Sequence, residues 1–287
     1  MRKKLFKNKT VPEAILFSIV FIFFVLYAFL LIYPLVWGLL SSLKAPSEYW
    51  DNMFGFPKIP QFKNYSRAIS EIKNGGLSFS DMAWNSIWFA GGSAIISSEF
   101  TSAYAYVLNK YRFRGRDFLY NLCIFLMAVP IGASFVAAYR LYYALKITNS
   151  YLILLSATGV YNMNLILMHS YYSNISRAYM EAAQIDGANF YQIYFKAMRP
   201  QATPMVMTLA MLTFIGKWND YMAPLLYLPS MPTLATGLFR YQKVVERSGN
   251  NPVLFAGLFI CLLPILVLFA IFNDKLMGNI SIGGLKG

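Results

Sequence analysis

The stretch SRAYMEAAQIDGANFYQIYFKAMRP, residues 176–200, decides how the rest of this chain is read. It is a polar island with long apolar runs on both sides. Residues 177–186 are helix formers with two adjacent small residues, Ala182 and Ala183. Gly187 follows where a helix needs a residue that tolerates positive φ. Asn189 with Gln192 three residues later has the pattern of a capping box opening a second short helix. Pro200 is expected to end that helix, because proline lacks the N–H and clashes with the preceding turn. The expectation is two short helices joined at a glycine, with alanines permitting close approach of a partner groove. The plainer alternative is an ordinary loop between membrane spans.

Working outward, the composition excludes an ordinary soluble domain. Of 287 residues, 57% are hydrophobic and 13% charged, against about 25% charged in soluble domains. The net charge of +13 would suit a nucleic-acid binder. The basic residues, however, sit in short clusters between apolar runs rather than along one continuous face. That is the layout of a membrane protein with basic cytoplasmic loops. Cys123 and Cys261 both fall inside apolar runs without metal-ligand spacing, so they read as buried thiols.

Residues 1–13 form a tail carrying Arg2, Lys3, Lys4, Lys7 and Lys9, and residues 14–43 hold no charge at all. The run exceeds the roughly 20 residues needed to span a bilayer, so it is expected to be a retained first span with the tail inside. Further spans are expected at 82–108, 118–139, 151–172, 203–228 and 252–273, the third bent by Pro130 and Gly132. Residues 44–81 and 229–251 are expected as external connections. The dense basic segment 109–117, with Lys110, Arg112, Arg114 and Arg116, belongs inside. Four crossings from an inside tail return the chain to the cytoplasm, so the loop 173–202 is inside too. The fold class expected is an all-α membrane protein with six transmembrane helices, residues 14–274, and a cytoplasmic tail at 275–287.

Charged groups within these spans mark a second region. Lys217-Trp218-Asn219-Asp220-Tyr221 interrupts the fifth run. Lys217 lies ~20 Å from the inner end of its helix, and a charge at that depth costs several kcal/mol unless paired or wetted. Lys217 and Asp220, three apart, can pair on one helix face. Trp218, Asn219 and Tyr221 add a stacking surface and hydrogen-bonding groups, which suits sugars. A structural ion pair bracing the span and a lining of the substrate path fit this pattern equally. Glu99 in the second span is expected to pair with a basic residue or backbone group, or else to touch substrate. His169 is expected to pack or to make an interfacial hydrogen bond. There is no G-x-x-x-x-G-K-[ST] phosphate loop and no H-E-x-x-H motif, so neither ATP binding nor zinc hydrolysis is expected of this chain. A membrane enzyme would have to rest on Glu99 with Asp220.

The spacing Glu181-Ala182-Ala183, three residues, then Gly187, with Pro200 beyond, resembles the E-A-A-x3-G loop of ABC-importer permease subunits. The match is closest to the maltose-type, carbohydrate-importing branch, whose short tail is similar to Gly283-Gly284-Leu285-Lys286-Gly287 here. The basic run 112–116 and the Trp-Asn-Asp-aromatic segment followed by Pro224-Leu225 also resemble that family. The chain departs from it at Ala197 and Arg199, where aliphatic residues are usual. The resemblance implies a coupling helix in which Glu181, Ala182, Ala183, Asp186 and Gly187 dock into a cytoplasmic ATPase, with Gly283, Gly284 and Lys286 reaching between two ATPases. It also implies a different second permease subunit, two ATPase subunits that bind ATP and Mg, and an extracytoplasmic sugar-binding protein. The setting implied is a bacterial cell membrane, with both termini cytoplasmic. The function implied is uptake of a sugar or oligosaccharide, the alternative being a permease for a non-sugar solute.

Overall fold

A computed structural model describes residues 11–128, 134–159 and 162–280; Pro130, Gly132 and the segment 283–287 lie outside the described residues. Among the described residues the chain is helical, and its only β-type pairing is the isolated bridge between Asn74 and Leu77. Two compact units are present, Met1–Ala68 with Val244–Ile260, and Ile69–Lys243 with Cys261–Gly287.

In the first unit, helix α1 (Val11–Ser42) carries large apolar residues around its whole circumference from Ile15 to Val36, and they face outward. A helix apolar all round belongs in lipid or deep in protein. The segment beyond it, expected as a polar connection, is tied back onto its end. Lys44 is buried and donates from Nζ to the carbonyls of Asn52 and Met53 at 2.6 and 3.0 Å. Burial holds its ammonium below the ordinary lysine range, with Glu48 pulling the other way. Asn64 donates to the carbonyls of Ser42 and Lys44, both at 2.8 Å. Helix α2 (Pro46–Asp51) and the start of α3 (Lys63–Glu71) carry these contacts. Trp37 packs edge-on to Phe255 with ring centroids 5.1 Å apart, and donates to the carbonyl of Met53.

The second unit is built on α4 (Phe79–Lys110). A capping box opens it: Ser78 Oγ accepts from the Asp81 N–H and the Asp81 carboxylate accepts from the Ser78 N–H. Those hydrogen bonds hold the Asp81 carboxyl below the usual range. Its buried side is a row of small residues, Ser86, Ala90, Ser93, Ala94, Ser97, Ser98, Thr101, Ser102 and Ala105. Small side chains let helix backbones approach closely where lipid supplies no hydrophobic drive. Gly92 is needed for that reason: a Cβ there would meet Leu154 Cδ1 at 2.7 Å. Helices α7 (Met163–Asn174) and α11 (Thr203–Asn219) pack on α4 in one core with Tyr106, Leu165, Met168, Tyr172, Val206 and Leu209.

Among the described residues two helices are long and apolar enough to cross a membrane, over Ile15–Ser42 and Asn251–Phe272, the latter within α14 (Asn251–Ile280). The fourth expected span, 151–172, is broken into a 3₁₀ helix, Tyr151–Thr158, and α7; together they are apolar enough to make a third. Gly159 is extended and Asn162 enters α7 with extended backbone, so no continuous helix joins them. The third region comprises α5 (Arg116–Ala128) and α6 (Ser134–Ala144). The fifth is also broken, at Asp220, between α11 and α12 (Met222–Tyr227). Residues 229–251, expected as a connection, contain a 15-residue helix, α13 (Leu234–Ser248). Leu234, Leu238, Tyr241 and Val245 are buried at helical spacing, while Arg240 reaches Asn74 at 2.6 Å and Tyr241 reaches Glu71 at 2.8 Å. Polar residues at the remaining positions concealed that helix within a charged stretch.

Candidate functional site

The stretch 176–200 folds as an elbow. Ser176 Oγ accepts from the Ala178 N–H and starts α8 (Ala178–Ile185). At its end the Gly187 N–H donates to Gln184 O at 3.0 Å and the Ala188 N–H to Ala183 O at 2.9 Å. This is a Schellman closure, and Gly187 sits at φ +76°, in the left-handed region where glycine is unpenalised. A Cβ at Gly187 would meet nothing, so the requirement is conformational rather than spatial. Ala183 and Ala188, the positions between which an apolar contact accompanies such a closure, both pack on the core.

Asn189 then opens the second helix with its capping box, Oδ1 accepting from the Gln192 N–H at 3.0 Å and the Asn189 N–H donating to Gln192 Oε1 at 2.8 Å. This helix runs through α9 (Phe190–Gln192), a π-helical turn, Ile193–Met198, and α10 (Arg199–Gln201). Pro200 therefore does not end it, contrary to expectation. The widened turn just before the proline loosens the hydrogen-bond ladder that a proline would otherwise disrupt. α10 gives way to α11 at Ala202, which keeps right-handed helical backbone.

The elbow has two faces. Met180, Ala183 and Ala188 pack inward on Tyr106, Ile193, Tyr194 and Met198. Tyr111 and Phe190 meet with ring centroids 5.2 Å apart, and Lys110 Nζ donates to Ile175 O at 2.6 Å. Burial, then the charge of Arg177, holds the Lys110 ammonium below its ordinary range. On the other face Tyr179, Glu181, Ala182, Ile185 and Asp186 are exposed, Ile185 to 86%. The adjacent alanines therefore divide: Ala182 faces out, and Ala183 is half-buried against the chain's own core. Sequence reading treated both as one outward face. The inward turn of Ala183 follows from helical spacing with Met180, a signal that was available.

The second region is pinned more tightly than its sequence suggests. Lys217 and Asp220 do pair, Nζ to Oδ2 at 3.5 Å, and Nζ also lies 5.7 Å above the Phe89 ring. Asp220 Oδ1 accepts from the Ala223 N–H at 3.0 Å and so caps α12, a role aspartate favours. Trp218, expected as a stacking surface, is 5% exposed. Its ring stacks on Phe214, and its Nε1 donates to Cys261 O at 3.0 Å. Tyr221 stacks on Phe239 with centroids 4.5 Å apart, and Asn219 Nδ2 bonds back to Ile215 O. Asn219 and one face of Tyr221 remain accessible.

Glu99 does not join this region. Its carboxylate takes a two-pronged contact from Arg199, Nε to Oε2 at 3.3 Å and Nη2 to Oε1. The sequence signal was the unusual arginine before the proline. His169 packs on Tyr120 with centroids 4.5 Å apart and accepts at its carbonyl from Asn109 Nδ2 at 3.2 Å. Among the described residues no group of histidine, cysteine and carboxylate side chains could hold a metal ion.

Residues 100–277 match the family model described as binding-protein-dependent transport system inner membrane component. The arabinooligosaccharides transport system permease protein of Halalkalibacterium halodurans is 29% identical, over 98% of this chain and 100% of that protein. The galactooligosaccharides transport system permease protein of Bacillus subtilis is 29% identical, over 95% and 96%. A crystal structure of a bacterial ABC transporter involved in the import of the acidic polysaccharide alginate superposes with a TM-score of 0.76 at 21% identity. That likeness covers 93% of this chain and 99% of the other, and concerns the fold.

Proposed function

The chain belongs to the family of binding-protein-dependent transport system inner membrane components, and from that premise we propose that it is a permease subunit importing a sugar or oligosaccharide. The observation that carries the reading is the elbow: one face is locked into the core, while the other leaves Tyr179, Ala182 and Ile185 outward with no apolar cover. Such a face, with Glu181 and Asp186 beside it, suits docking of a cytoplasmic ATPase. The relatives' names favour oligosaccharides as cargo.

In this reading the chain crosses the membrane six times with both termini in the cytoplasm of a bacterium, and it pairs with a second, different permease. Two ATPase subunits supply the ATP and Mg chemistry, and an extracytoplasmic binding protein delivers the sugar. Closure of the ATPases displaces α8, and the closure at Gly187 passes that displacement to the second helix and the spans, a two-state change biased by nucleotide. Asn219, Asp220 and Tyr221 are the groups through which this chain would touch cargo. The tail with Gly283, Gly284 and Lys286 would reach between the ATPases.

The test is to purify the tagged chain from native membranes and measure the stoichiometry of what accompanies it. One other permease, two ATPase copies and a sugar-binding protein are expected, with uptake in vesicles of arabino- or galacto-oligosaccharides rather than amino acids. Ala182→Trp, which places bulk on the outward face only, should strip the ATPases while leaving the permease pair intact. Purification of the chain alone under every nucleotide condition would overturn the reading.

A further inference from the structure

The helix after Gly187 holds α4 at two points. Arg199 reaches Glu99, with the third guanidinium nitrogen, Nη1, donating to Thr203 Oγ1 at 2.8 Å. Tyr194 donates to Ser102 Oγ at 3.1 Å, and the same hydroxyl pairs with Tyr172 of α7 at 2.9 Å. Glu99 and Ser102 are three apart on α4 and so share a face. Tyr194 and Arg199 are five apart, which on an α-helix would point them about 140° away from each other. The π-helical turn across Ile193–Met198 closes between residues five apart and brings the two into register. The turn is thus what makes a double attachment geometrically possible.

The chemistry of the two points differs usefully. Arg199 offers a rigid fork to a carboxylate, the geometry that fixes orientation as well as distance. Tyr194, Tyr172 and Ser102 are buried, and their hydroxyls satisfy one another there. Neither point is on the outward face of the elbow, and neither touches the accessible groups near Asp220. Both connect the far arm of the elbow to the central helix of the second unit.

We propose that Arg199 and Tyr194, set in register by the π-helical turn, are positioning residues that clasp the elbow to α4 at Glu99 and Ser102, so that displacement of the elbow moves α4 with it. The proposal rests on the permease reading above. It assigns transmission to four side chains rather than to general contact.

The experiment uses the complete importer in vesicles, with its ATPases and binding protein, supplied with a mixture of arabino- and galacto-oligosaccharides. ATP consumed per sugar imported is measured at equal amounts of assembled complex. Arg199→Met should raise that ratio about fivefold, with the ATPases still bound. Glu99→Gln, which keeps size and one acceptor, should raise it about twofold. Arg199→Lys should recover part of the loss, and Arg199→Met combined with Glu99→Gln should be no worse than Arg199→Met, since both act through one contact. If these variants lower thermal stability or assembly but leave the ratio at the unmodified value, the clasp is structural only and the proposal falls. Should Arg199→Met fail to assemble, Glu99→Gln and Tyr194→Phe decide by the same ratio. No uptake by the unmodified complex would instead overturn the permease reading, and the clasp with it.

Discussion

Helices α1 and α4 are both 32 residues long, yet they meet the membrane problem in opposite ways. α1 is apolar on every side and leaves those side chains outward, from Ile15 through Val36. α4 carries serines, threonine and alanines on one side, and buries that side against α7 and α11. Its hydroxyls do not hydrate in lipid; Ser86, Ser98 and Ser102 find carbonyls or tyrosines instead. Apolarity therefore identifies the helix that this chain itself leaves largely uncovered, whereas polarity with small size identifies the one its own helices pack against. Among the described residues α1 and α14 are the strongly apolar long helices, whereas α4, read as a span at 82–108, is more polar.

Substitutions break or sharpen that contrast. The largest effect is expected from Leu26→Arg, midway along α1, which should cost about 3 kcal/mol in membrane insertion because nothing there pairs a charge. A glycosylation-site insertion assay reads it directly; full insertion would mean α1 is covered by a polar partner. Gly92→Leu should cost about 2–3 kcal/mol by overpacking against Leu154, seen as a lower melting temperature of the detergent-purified protein. Ser98→Leu makes α4 more apolar and would improve it if hydropathy governed. It should instead destabilise by about 1–2 kcal/mol, since the site is closed. At the other end of the scale, Phe21→Leu in α1 should change stability by less than about 0.5 kcal/mol, because it leaves an outward apolar position apolar. A large loss there would mean a specific partner, rather than lipid, covers Phe21.

The elbow was legible almost throughout, and for local reasons. The Schellman closure at Gly187 and the capping box at Asn189 depend on residues within a few positions of each other, and sequence states those interactions outright. Pro200 misled because a helix can absorb a proline by widening the preceding turn, a choice made by packing. α13 was missed for the opposite reason. Its apolar face is four residues wide within a charged stretch, and only its neighbours show that the face is buried. Trp218 carries no local sign that its ring is enclosed and its N–H committed to Cys261 O, 43 residues away.

The sequence by itself determined the helical membrane class, the elbow and its hinge, and the pairing of Lys217 with Asp220, since composition, capping and three-residue spacing act within a turn or two of helix. Only the tertiary structure decided which of the adjacent alanines faces out, that Arg199 answers Glu99 across 100 positions, and that a π-helical turn aligns it with Tyr194. These are choices between faces and partners of comparable local energy. They are made once the helices have packed, when the Glu99 carboxylate and the Ser102 hydroxyl find partners on distant segments.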